Sequence, residues 1–283
     1  VRSSKEEYHR DTPFDGDLAM SYRALAYTGK GKMENLISAL ILSWLRKGYI
    51  HLQKVEDSSF FGLVKKEETS IGGLDANAPT LPLEKRLYSM MMEAAGSDRI
   101  LQEKEFYKWS RKEYSRVTSW HKDYLKEGES ALQQHGYLTA PQSAKILGLV
   151  PYEYRDITEL GLERVGELVS FQHFLDDFTL VAERESLEVE VWEEYLIYAA
   201  LFGIAERVAE ELEKHQPDVF KDSAYGDDYS STIQTLAMVH YMSSAMSRGT
   251  SAGGSSSSSG GGGFSSSGGG GGFSGGGSGG GFR

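Results

Sequence analysis

The chain reads as an α+β protein, mostly helical: winged-helix-like units, then a helical C-terminal part, then a disordered Gly/Ser tail. Three observations predict this. Apolar residues recur at helical spacing along most of the chain. Two long helices end in a glycine followed by Tyr and an aliphatic residue, Gly48-Tyr49-Ile50 and Gly136-Tyr137-Leu138, as two related helix-to-strand units. Residues 253–283 hold only Gly and Ser apart from Phe264, Phe273, Phe282 and Arg283. The divisions that follow are a linker over 1–15, winged-helix-like units over 16–138, a connector over 139–156, a helical domain over 157–248 and the tail over 249–283.

In chain order, Asp11 to Gly16 is turn-like punctuation, and Leu18, Met20, Tyr22, Leu25 and Ala26 predict a short helix. The segment 28–32 breaks it. Residues 33–47 predict a strong helix from Leu36, Ile37, Leu40, Ile41, Trp44 and Leu45, closed by Arg46, Lys47 and Gly48. Residues 49–55 alternate as a strand, 57–59 turn, and 60–66 form a second strand. Helix, helix and hairpin make a winged-helix outline. A loop over 74–82 leads to a helix over 83–95, and 100–109 begins a second small helical unit. Residues 114–136 predict a long amphipathic helix. The connector contains Pro141, Gly148 and Pro151. Helix resumes over 157–180, and 183–190 is acidic. A helix over 192–214 bends at Gly203. An acidic loop over 217–229 precedes a final helix over 232–246. The tail buries too little apolar surface to offset chain entropy, so disorder is expected, with its three Phe as spaced stickers or inert punctuation.

Charge and composition narrow the function. Forty-one acidic residues against 30 basic give a formal net charge of -11, which disfavours nucleic acid as a partner. The absence of cysteine rules out disulfides and thiolate metal sites and fits a reducing compartment. The polar start at Val1 is no signal peptide and suggests a fragment or processed chain. No run of about 20 apolar residues is present to span a bilayer.

The candidate chemistry is sparse. His173, Asp176 and Asp177 share a helix and carry the only metal reading, but two ligand types within five residues do not complete a site. Gly29-Lys30-Gly31 lacks the spacing of a phosphate loop. Met90, Met91 and Met92 suggest an adaptable groove or, more simply, core packing. Glu193-Glu194 and Glu210-Glu211 read as solvated faces rather than acid–base pairs. His9, His51, His121, His135, His215 and His240 are scattered. A DNA-reading helix over 33–47 would offer only Asn35, Arg46 and Lys47. No catalytic, cofactor-binding or metal residue is assigned, no cofactor is expected, and the chain is read as not an enzyme.

Four stretches carry a family resemblance. They are Leu45-Arg46-Lys47-Gly48-Tyr49-Ile50; Thr158-Glu159-Leu160-Gly161 ahead of Phe171 and Phe174-Leu175; Tyr195-Leu196-Ile197-Tyr198-Ala199-Ala200-Leu201-Phe202-Gly203; and the Phe-punctuated Gly/Ser tail. In that order they resemble the cytoplasmic C-terminal part of domain of unknown function 2207, a YciQ-like family of predicted bacterial membrane proteins. The resemblance spans most of residues 10–283. It implies a signal peptide, an extracytoplasmic β-rich domain and a membrane span in the parent protein. It also implies two membrane helices where this chain has only 140–156.

The expected function is therefore a non-enzymatic cytoplasmic interaction or scaffold module of a bacterial membrane protein, at the cytoplasmic face of the cell membrane. Its partner is an unknown protein; the membrane is contacted by the parent and not by this chain as written. A winged-helix DNA-binding regulator and a metal-dependent hydrolase are the alternatives.

Overall fold

A computed structural model describes residues 10–57, 66–73, 78–146, 150–177 and 189–256. The expectations for residues 1–9, the strand start at Phe60, the loop at 74–77, Gly148, the helix end at 178–180, the acidic stretch at 183–188 and the Phe-bearing tail at 257–283 lie outside the described residues.

α2, Met33–Arg46, is the centre of the core. Every residue from Leu36 to Leu45 is buried, including Ser38 and Ser43. A helix apolar on all sides must be covered on all sides. α7, Val189–Phe202, covers one flank and α9, Tyr229–Ser256, another. α7 is itself buried nearly all round, from Trp192 and Glu193 through Tyr195 to Leu201. α1, Leu18–Tyr27, begins at Asp17, whose carboxylate accepts the Met20 amide at 2.8 Å, and packs on α5, Tyr114–Gln134. α3, Pro82–Ala95, and α4, Glu103–Lys112, complete that side. One buried cluster runs from Phe14 to Met246.

The two predicted helix-to-strand units take the same form. Gly48 and Gly136 both have positive φ, and the next residue's amide bonds five residues back, Tyr49 to Trp44 and Tyr137 to Leu132, each at 2.9 Å. Each unit continues into an antiparallel hairpin. In the first, β1, His51–Asp57, pairs with β2, Lys66–Gly72, from His51↔Gly72 to Asp57↔Lys66. The described part of the second strand continues to Gly72, six residues beyond its predicted end at Lys66, and its inward Ile71 meets Leu101. In the second unit the predicted connector is itself a hairpin, β3, Gln142–Ile146, against β4, Val150–Tyr154. Pro151 pairs opposite Lys145 in a two-stranded ribbon, where an edge tolerates proline.

α6, Glu159–Asp176, starts on a Thr158 cap, whose hydroxyl accepts the Gly161 amide at 3.0 Å. α7 and α8, Ala205–His215, meet at the predicted bend: Gly203 takes φ +79° there, and a Cβ at that position would lie 2.8 Å from Asn35 Nδ2. The last helix departs most from expectation. α9 runs ten residues beyond the predicted end at Met246, into the segment assigned to the tail. It does so because α4 lies against it. A Cβ on Gly249 would sit 2.5 Å from the Tyr107 carbonyl oxygen, and one on Gly253 2.3 Å from that of Arg111. Glycines that read as tail are the residues that let two backbones approach.

Candidate functional site

The residues singled out by sequence do not converge. His173 and Asp177 are exposed at the end of α6, and Asp176 is ion-paired with Arg207 of α8. Among the described residues no group of three His, Asp or Glu is placed to hold a metal. Met90 and Met91 are buried in the core, with Met92 packed on its edge. The helix offered to DNA is the buried α2. Asn35 donates to the Leu201 carbonyl at 3.3 Å, and Arg46 donates to the Glu190 carbonyl at 3.1 Å.

One carboxylate pair corrects the sequence reading. Glu194 is partly solvated, but Glu193 is 6 % exposed. It pairs with Arg46 at 3.4 Å and accepts from the Ser223 hydroxyl at 3.0 Å and the Ala224 amide at 2.6 Å. The Tyr225 hydroxyl lies 3.3 Å from both the Leu42 and Glu193 carbonyl oxygens. This buried charge is tolerated because it is paired and bonded. It fastens the 223–225 turn to α2 and α7, a structural role rather than an acid–base one. Glu211 and Glu210 both pair with Lys214 along α8.

Two clefts adjoin α2. The smaller, about 340 Å³, gathers Asp17, Glu84, Glu127 and Glu194 beside Arg46, Lys47, Tyr124 and Tyr198. Burial, then the Asp17 and Glu84 charges, hold the Glu127 carboxyl above its ordinary pKa. Glu84 is occupied in accepting the Trp44 indole N–H at 2.8 Å.

The larger cleft, about 960 Å³, is bounded by the 29–32 loop, the first turns of α2 and α8, and the middle of α9. Its α2 wall is Glu34, Ser38 and Leu42, the i, i+4, i+8 stripe of one helix face, with Asn35 beside Glu34. Lys30, Lys32, Arg207 and His240 share the polar lining with Glu34, Glu206 and Gln172; Leu42, Leu236 and Val239 are among the apolar residues. Asn35, in the first turn of α2, donates to the Leu201 carbonyl in the last turn of α7. Sequence inspection passed over Ser38 because it sits within an apolar run, and over Lys30 and Lys32 because their glycines fail the phosphate-loop spacing. The residues are distant in sequence, so only the fold brings them together.

Comparison with known proteins touches one part of the chain. Residues 144–212 match the family model described as Predicted membrane protein (DUF2207) C-terminal domain. No curated protein and no solved structure matches. The match starts within β3, includes β4, α6 and α7, and ends near the close of α8. Two of the four resembling stretches, Thr158 to Gly161 and Tyr195 to Gly203, fall inside it; Leu45 to Ile50 and the tail fall outside. The match implies part of a membrane protein of unknown function. No helix among the described residues is long and apolar enough to cross a membrane.

Proposed function

We propose that the chain is a non-enzymatic interaction module of a bacterial membrane protein, working at the cytoplasmic face. The observation that carries this reading is the surface around the start of α6, within the matched segment. Ile157, Leu160 and Leu162 are 40 %, 47 % and 58 % exposed, and Tyr154 beside them is 36 % exposed. Leu160 and Leu162 flank Gly161, where a Cβ would come 2.2 Å from the Tyr137 carbonyl oxygen. The close approach at Gly161 leaves its two neighbours outward. Several exposed apolar side chains within one short stretch favour a protein partner. The acidic balance of the chain and the burial of α2 argue against DNA, and the engagement of Asp176 by Arg207 argues against a hydrolytic metal. The winged-helix outline of α1, α2 and the β1–β2 hairpin then serves as a structural unit.

A photo-crosslinker placed at Leu162 of the membrane-embedded parent tests the reading. The expected result is one defined protein adduct that a crosslinker at exposed Lys122 does not give, and that Leu160→Asp abolishes. Equal adducts from both positions, or none from Leu162, overturn it. A low-salt gel shift supplies the opposing arm, because salt-dependent retardation of DNA favours the regulator instead.

A further inference from the structure

The cleft between α2, α8 and α9 has the makings of a small-molecule site, independent of the interaction surface on α6. Two helices open onto it with their first turns, and neither N-terminus is closed by a side-chain cap. Such ends present unbonded N–H groups and the positive pole of the helix dipole. Glu34 and Glu206 also stand in these turns, so the dipoles alone do not select an anion.

Ser38 is the independent observation. It is 7 % exposed, it lines the cleft between Glu34 and Leu42, and its hydroxyl forms no hydrogen bond among the described residues. Buried helical hydroxyls commonly return their proton to the carbonyl four residues back. Ser110, Ser243 and Thr250 do so here. Ser38 does not, and its hydroxyl opens onto the cleft, where water or a ligand completes its bonding. Around it the lining is rich in donors. Lys32 is exposed at the α2 N-cap, and Lys30 reaches only a long contact with Gln172 at 3.4 Å. Arg207 is held by Asp176. Leu42, Leu236 and Val239, all buried, form the apolar part of the wall. The volume falls within the range of ligand pockets.

We propose that this cleft binds a small amphiphile with an anionic carboxylate or phosphate head. The head is met by the two helix N-termini, Ser38 and the Lys30 and Lys32 ammonium groups. The apolar body lies along Leu42, Leu236 and Val239. No covalent step is involved.

The test is an NMR titration of the whole chain with n-octyl phosphate, octanoate, inorganic phosphate and octyl glucoside, following Asn35, Ser38, Gly203 and Ala205. The expected result is saturable shifts with octyl phosphate or octanoate, tighter than with either control. Lys30→Glu with Lys32→Glu should weaken binding about tenfold, as two lost attractions and two new repulsions imply. Ser38→Ala should weaken it about threefold with the melting temperature unchanged. Cosedimentation with phosphatidate–phosphatidylcholine vesicles separates a bilayer headgroup from a free amphiphile as the source. Octyl glucoside binding as tightly as octyl phosphate reduces the cleft to an apolar cavity and overturns the proposal. So does inorganic phosphate binding as tightly, or the absence of any saturable shift.

Discussion

Replacing Tyr198 by Asp should unfold much of the protein, and the structure sets the size of the effect. Tyr198 is 1 % exposed on α7. Its ring meets Phe171 edge-on at 5.6 Å and 89°, and its hydroxyl donates to the Pro13 carbonyl at 3.3 Å. Burial, with Glu194, Asp17 and Asp15 adding to it, pushes the phenol far above its ordinary pKa, so a negative charge is unwelcome there. Truncating a buried aromatic side chain costs about 3–5 kcal/mol. A carboxylate in the same place adds the cost of burying an unpaired charge, or of protonating it. The sum rivals the whole stability of an ordinary domain, about 5–15 kcal/mol. Urea unfolding followed by tryptophan fluorescence measures it. Tyr198→Phe is the control, since it removes only the hydroxyl, for a loss of about 1 kcal/mol. The Asp variant should also regain stability on acidification, as its carboxyl takes up a proton. An Asp variant within about 1 kcal/mol of the parent, on the scale of that single hydrogen bond, refutes the burial argument.

Other perturbations probe other joints. Gly203→Ala, at φ +79° with Asn35 in the way, should cost about 1–2 kcal/mol in urea unfolding; an unchanged midpoint would show that the α7–α8 joint is not held as described. Gly249→Leu must force α9 away from the Tyr107 carbonyl and should cost about 1–3 kcal/mol, whereas a loose tail at this position predicts no change in melting temperature. His121 is half-buried with Nε2 2.6 Å from the Tyr22 hydroxyl, and burial lowers its pKa. The unfolded chain therefore takes up its proton first. Stability should fall as pH drops through about 6.5 and below, and His121→Gln should flatten that fall in pH-dependent melting. An equal fall in both proteins would place the acid sensitivity elsewhere.

Local chemistry was legible in the sequence wherever a residue's role depended on its neighbours in the chain. The helix over 33–47, the stop at Gly48, the bend at Gly203 and the long helix over 114–136 all follow from periodicity and glycine placement, and the structure has them within a few residues. The outcomes that depended on distant partners were not legible. The strand after β1 runs on past Lys66 to Gly72, where Ile71 bridges Leu101, a contact that short-range alternation does not reveal. The 140–156 segment looked like a connector because its prolines punctuate it, yet a two-stranded ribbon accommodates Pro151 at an edge. Glu193 looked solvated because it adjoins Glu194, while the turn at Ser223 to Tyr225 closes over it. α9 continues through residues of poor helix propensity because α4 supplies the packing. The large cleft was invisible for the same reason: its walls come from four separate parts of the chain.

One core closes around α2 and leaves that helix unavailable to any nucleic-acid groove. Hydrogen exchange resolved by residue tests it most directly. Amides from Leu36 to Leu45 should exchange only through global unfolding, with a free energy equal to that from urea denaturation. Exchange of these amides through a local opening well below the global value would contradict the account and return α2 to the surface.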